Sequence, residues 1–196
     1  MGYKCLWSAV YGEDISEVRR LLRDRKTDRN EESNGWTPII LAARNGNEKI
    51  MQMLIADKDV NIDAVSLKGR TAVFEAAQKR HWHLLRVLVC HRALTYIATE
   101  DKETALQYAV RNGERMITSL LLNNGAHKTI LQQESNRDDT VLHLAVRNGS
   151  LFLCGKLASA AYGSPMMKLM DNGFGETAKA LAVRLKRSAE IIAAVS

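Results

Sequence analysis

A threonine returns along this chain at a spacing that irregular folds do not keep: Thr37, Thr71, Thr104, Thr140 and Thr177, separated by 34, 33, 36 and 37 residues. Tyr3 sits 34 residues before the first of them. Five residues after each anchor comes a small residue: Ser8, Ala42, Ala76, Ala109, Ala145 and Ala182. Nine after it comes glycine in four of six cases, Gly12, Gly46, Gly113 and Gly149, with Arg80 and Lys186 in the other two. A period near 33 marks an array of small units, none of which can bury its apolar face without neighbours.

One unit shows how the local chemistry works. In Thr37-Pro-Ile-Ile-Leu-Ala-Ala-Arg-Asn-Gly46, proline suits a first helical turn, where its missing N–H has no partner to lose, and Thr37 can cap that helix. Asn45-Gly46 then supplies a turn with positive φ, and Ile50, Met53 and Leu54 repeat at helical spacing, so a second helix folds back on the first. The same pattern predicts helices over Lys4–Val10, Ile15–Leu22, Leu84–Val89 within His83–Cys90, and Ile117–Leu122. Arg23–Ser33 reads as a polar, mobile loop, and the third unit must turn on Lys79-Arg80-His81 without glycine. The 158–170 stretch reads as an insert, and the last unit is degenerate, with Lys179 where its sisters are apolar.

The sequence resembles the ankyrin-repeat family, and the Thr37–Gly46 segment with Thr140-Val-Leu-His143-Leu-Ala-Val-Arg-Asn-Gly149 carries the match. The resemblance implies an all-α fold, an ankyrin-repeat α-solenoid of stacked helix-turn-helix units with hairpin-like loops. It implies one domain over 1–196, with repeats near 2–33, 34–67, 68–100, 101–136, 137–172 and 173–196, the outer two atypical. His143 then resembles a structural hydrogen-bonding residue.

Other chemistry is poorly supported. Gly173-Phe-Gly175-Glu-Thr-Ala178 matches a dinucleotide-binding pattern in letters, yet lacks the preceding strand and the acidic ribose partner, and falls at a hairpin tip. His81, His83, His91 and Cys90 lack the spacing of a metal site, so no metal and no cofactor are expected. Asn148-Gly-Ser150 matches a glycosylation acceptor but is an interhelix turn. Leu6 stands where myristoylation of Gly2 would want serine or threonine. No nucleophile has a placed histidine, and no carboxylate pair shares an apolar face, so no enzyme is expected. Nor is there an apolar run of membrane-spanning length or a secretory leader. Three scattered cysteines, Cys5, Cys90 and Cys154, read as reduced thiols, and the expected location is cytoplasmic or nuclear.

The expected function is a scaffold or adaptor that binds a protein partner on its concave face. The alternative is a binder of nucleic acid or another polyanion, since the net charge is +6. The halves disfavour it: residues 1–98 carry 16 basic and 12 acidic groups, residues 99–196 carry 12 and 10, so the excess of +4 and +2 is spread. In the family, the residue before the threonine and those seven and eight after it line the concave surface. By resemblance the tip residues are Trp36, Arg70, Glu103, Asp139 and Glu176. The inner-helix residues are Arg44, Gln78, Arg111, Arg147 and Arg184, with Asn45, Lys79, Asn112 and Asn148 beside them. In repeats four to six the acidic tips can neutralise the arginines of their own repeats. Repeats two and three lack acidic tips, which centres binding at Trp36, Arg44, Arg70 and Lys79, with a partner carrying acidic or phosphorylated segments. The chain by itself is expected to be monomeric.

Overall fold

The threonine anchors open helices. The computed structural model describes residues 5–134, 137–159 and 165–196. The chain divides into two compact units, Met1–Glu100 and Asp101–Ser196, and the division falls in sequence between the third and fourth expected repeats. In the first unit the helices are α1 (Leu6–Tyr11), α2 (Ile15–Arg23), α3 (Pro38–Asn45), α4 (Glu48–Ala56), α5 (Ala72–Gln78) and α6 (Trp82–Cys90). In the second they are α7 (Ala105–Arg111), α8 (Arg115–Asn123), α9 (Val141–Asn148), α10 (Leu151–Ala158), α11 (Pro165–Leu169), α12 (Ala178–Arg184) and α13 (Ala189–Ala194), with a 3-10 turn at Ala126–Thr129. Among the described residues no strand forms; two isolated bridges, Ser33 with Trp36 and Asp171 with Thr177, close hairpin tips.

Threonine does this by capping. The hydroxyls of Thr71, Thr104 and Thr177 accept from the backbone N–H three residues on, at 3.1, 3.2 and 3.2 Å. Thr37 is the exception: it has the extended N-cap backbone, but its buried hydroxyl makes no hydrogen bond, so the cap expected there is absent. Residue three of that helix is Ile40, which cannot reciprocate as a polar side chain does. The anchor of the first repeat, Tyr3, lies outside the described residues.

Helices of two turns are too short to be stable alone, so packing carries them. Inner helices stack on inner helices, α1 on α3 and α3 on α5, with α2 on α4 and α4 on α6 behind. In the second unit α7, α9 and α12 stack in order, and α10 meets α13 behind. The periodic alanines permit this approach: Ala42, Ala76, Ala109, Ala145 and Ala182 are fully buried. Around them lie Ile39, Ile40, Leu54, Leu85, Leu106, Leu142 and Leu153, each worth about 1.5–3 kcal/mol of burial.

The interhelix turn requires a left-handed residue. Gly46 supplies it at φ 81°, and the His81 ring of the next repeat lies so close that a Cβ on Gly46 would meet it at 2.7 Å. His81 Nε2 in turn sits 3.2 Å from the Arg44 carbonyl, at the end of α3. Asn148 repeats that contact on the Arg111 carbonyl at 3.2 Å, and Arg187 on those of Val146 and Arg147. Where glycine is missing the backbone still goes left-handed, at Arg80 (φ 61°) and Lys186 (φ 52°). In the first repeat the left-handed residue is Glu13, while Gly12 is right-handed.

One expectation is corrected. Arg23–Ser33 is pinned by its own Arg29, which is only 8% exposed and donates to the carbonyls of Leu22 and Asp24 at 2.9 and 2.8 Å, to that of Thr27, and to Asp57 at 3.2 Å. The insert contains a helix, α11, which buries Met167 and leaves Met166 and Leu169 exposed; Tyr162, Gly163 and Ser164 lie outside the described residues. Of the closing helix, Ile191 and Val195 are buried, and α13 packs on both α10 and α12. No helix among the described residues is long and apolar enough to cross a membrane.

Candidate partner-binding face

From the second repeat on, each repeat places a tip residue just before its threonine and another eight positions later, at the end of the inner helix. Long side chains at those two places reach each other across two helical turns. In the second unit they form ion pairs: Arg111 with Glu103 at 2.5 Å, Arg147 with Asp139 at 2.5 Å, and Arg184 with Glu176 in a fork whose second contact is 3.0 Å. The Arg184 hydrogen bonds hold the Glu176 carboxyl below its ordinary range. Arg111 takes a second carboxylate, Glu134, from the hairpin of the following repeat. The neutralised alternative therefore describes the inner-helix positions of repeats four to six: Arg111, Arg147 and Arg184 are each ion-paired.

Asp139 is fully buried, and beyond Arg147 it accepts from Asn172 Nδ2 at 3.1 Å, which ties the fifth and sixth tips together. His143 lies beneath, fully buried. Its Nδ1 accepts from the Thr140 hydroxyl (2.8 Å) and N–H (3.3 Å), and its Nε2–H donates to the Glu176 carbonyl at 2.8 Å. Burial lowers its pKa, so the imidazole is neutral and works as a structural donor and acceptor. Burial pushes the Cys154 thiol up to about 11, which keeps it protonated and unreactive.

The first unit is built differently. Arg44 lies over the Trp36 ring, 5.0 Å from its centroid, and Arg70 over Phe74 at 5.5 Å. Both arginines face Glu75: Arg70 Nη1 is 3.1 Å from Oε1, and Arg44 Nη1 is 3.6 Å from Oε2. The latter is ion-pair range but too long for a hydrogen bond, which leaves Oε2 of this fully buried side chain without one. Arg70 also donates to Gln78 at 3.2 Å. Two guanidiniums share one carboxylate, so this cluster keeps one positive charge where the fifth and sixth tips keep none. Lys79 stands exposed at the end of the same helix. Asn45 is not brought to this cluster; it lines a separate depression of about 550 Å³ with Glu13, Asn47 and Glu48.

Sequence reasoning missed Glu75, Glu134, Arg137 and Phe174. Glu75 had a signal: it stands four after its anchor, where other repeats carry Leu41, Tyr108, Leu144 and Leu181. Glu134 and Arg137 are loop residues outside the periodic columns and had none. Arg137 lines two adjoining cavities of about 340 and 420 Å³, the first with Arg111, Glu134, Asp139 and Arg147, the second with Arg147, Phe174, Glu176 and Arg184. Among the described residues no group of three or more His, Cys, Asp or Glu side chains is placed to hold a metal ion.

A family model described as "Ankyrin repeats (3 copies)" matches residues 1–64, 58–132 and 84–168. Among curated proteins, the chain is 29% identical over 202 residues to ankyrin repeat and KH domain-containing protein mask-1 of Caenorhabditis elegans, covering 86% of this chain. It is 28% identical over 128 residues to Rabankyrin-5 of Mus musculus, covering 62%. It spans only 7% and 10% of those relatives' lengths. Among solved structures it resembles a chain of Bd0816 Predatory Endopeptidase from Bdellovibrio bacteriovorus in complex with immunity protein Bd3460. That match has a TM-score of 0.74 and 24% identity, over 100% of this chain and 98% of that one, a likeness of fold.

Proposed function

Because the chain belongs to the ankyrin-repeat family, we propose that it is a non-enzymatic scaffold or adaptor, and that it grips an acidic or phosphorylated segment of a protein partner at Trp36, Arg44, Arg70 and Lys79. Repeats of this family generally mediate protein–protein interaction. The observation that carries the finer reading is the Arg44–Glu75–Arg70 cluster beside a half-buried tryptophan. Its surplus positive charge is held in place by Glu75 and by ring stacking, so little side-chain freedom is lost when a carboxylate or phosphate arrives. Tryptophan and arginine are also the residue types most often found at interface hot spots. A monomer working in the cytoplasm or nucleus, where Cys5, Cys90 and Cys154 stay reduced, completes the proposal.

The test is affinity capture with mass spectrometry to identify the partner, followed by titration of Trp36→Ala and Arg44→Ala chains against it. The expected loss is about 2 kcal/mol or more for Trp36→Ala, with an unchanged melting curve. Unchanged affinity in both variants would remove the centre of binding from the first unit.

A further inference from the structure

Resting on the reading that the first unit binds an acidic or phosphorylated segment, we propose that Glu75 decides between the two. It makes the site one for a carboxylate, the side chain of an internal glutamate or aspartate, and not for a phosphoryl group. Arg44 takes the carboxylate, and Glu75 turns away the second negative charge of a phosphate.

The two guanidiniums beside Glu75 are not equivalent. Arg70 is committed inside the protein: its Nη1 donates to Glu75 Oε1 at 3.1 Å and to Gln78 at 3.2 Å, and it lies over Phe74. Only 26% of its side chain is exposed. Arg44 is 41% exposed, lies over the Trp36 ring and, among the described residues, donates no side-chain hydrogen bond. Its 3.6 Å approach to Glu75 Oε2 is an ion pair without one. A partner therefore meets one open guanidinium fork, backed by an indole.

A planar carboxylate matches a single fork with two parallel hydrogen bonds. A phosphoryl group carries about −1.5 to −2 charges on three acceptor oxygens, so one fork leaves an oxygen and much of a charge uncompensated. Beneath the fork the charge is already negative. Glu75 is fully buried and its Oε2 has no hydrogen bond, so water does not screen that oxygen from whatever Arg44 holds.

The count of charges follows. With a carboxylate bound, Arg44 and Arg70 face two anions, the ligand and Glu75. With a phosphate dianion they face three negative charges in a site shielded from water, which is unfavourable. Further out in the first unit, Lys68 and Lys79 are exposed, and so are Glu32 and Glu100, which leaves the balance as it was. A leucine at this position, as at Leu41, Leu144 and Leu181 in other repeats, would leave both guanidiniums uncompensated and suit a phosphate.

The experiment uses three matched peptide sets with blocked termini and random flanks, carrying glutamate, phosphoserine or glutamine at the central position. They are arrayed and probed with the labelled full chain, and the strongest binders are measured by fluorescence anisotropy beside their matched partners. The expected outcome is tighter binding of the glutamate peptides, about tenfold or more over the other two forms. Arg44→Lys keeps the charge but removes the fork, and should erase that preference. Glu75→Gln keeps the volume but removes the buried charge, and should move the preference to phosphoserine. Melting curves establish that each variant is folded; if Glu75→Gln is not, Glu75→Leu replaces it. Equal binding of glutamate and phosphoserine overturns the proposal. So does a phosphoserine preference in the wild type, whether or not Lys79→Gln removes it. A glutamate preference that persists in the folded Glu75 variant or in Arg44→Lys overturns it too. Phosphoserine peptides that lose affinity with Trp36→Ala or Arg44→Ala would sink this inference and leave the first-unit reading standing. If no set binds, or if binding ignores both of those variants, that reading falls as well.

Discussion

His143 and Gln107 stand three residues after their threonines and do one job with different chemistry. Gln107 Oε1 accepts from the Thr104 N–H at 2.8 Å and its Nε2 donates to the Gln132 carbonyl at 2.9 Å. His143 does the same between Thr140 and the Glu176 carbonyl. Both need one acceptor and one donor, but only the imidazole can lose its acceptor by gaining a proton. Its folded pKa lies below the ordinary histidine value, chiefly through desolvation, so at low pH the unfolded chain binds the extra proton. Stability from this residue is full above about pH 6.5 and is lost as pH falls through the folded pKa. His143→Gln should keep the bonds and flatten the dependence. Urea unfolding at pH 7.5 and pH 5 measures this, and equal pH losses in the wild type and the variant would refute it.

At the scale of elements, the connection after α2 depends on one arginine. Arg29 occupies carbonyls at the end of α2 and in its own loop, and reaches Asp57 just past α4. It therefore does for this long link what glycine turns do elsewhere. Arg29→Ala would strand those buried carbonyls, and hydrogen bonds to a charged group are worth about 1.5–3 kcal/mol each. A net loss of about 2–3 kcal/mol is expected in urea unfolding; an unchanged midpoint would return the segment to the mobile loop its composition suggests. The insert shows the same principle on a smaller scale: one methionine, Met167, is drawn into the core, and α11 follows from it.

At the scale of the molecule, the formal charge of +6 overstates what a polyanion would meet. Arg44, Arg70, Arg111, Arg147 and Arg184 are all ion-paired, and Asp139 and Glu75 stand fully buried among them. Neutralised cations release few counterions, so non-specific nucleic-acid binding should be weak. No gel shift of a random-sequence duplex is expected at physiological salt with micromolar protein; a clear shift with a steep salt dependence would revive the polyanion reading.

The sequence by itself determined the repeat, because a short helix that must stack has to place alanine, threonine and a turn residue at recurrent positions. Thr71, Ala109 and Gly149 obey that local rule and were legible as such. It offered the acid–arginine pairs of repeats four to six as one of two readings, since both partners belong to one repeat, eight residues apart. Only the tertiary structure decided the rest. Glu75 meets Arg44 from the repeat before it, Glu134 reaches Arg111 from a neighbouring hairpin, and Asn172 ties Asp139 across two tips. Those partners are set by how close stacked repeats bring side chains that lie far apart along the chain, and no periodicity records that distance.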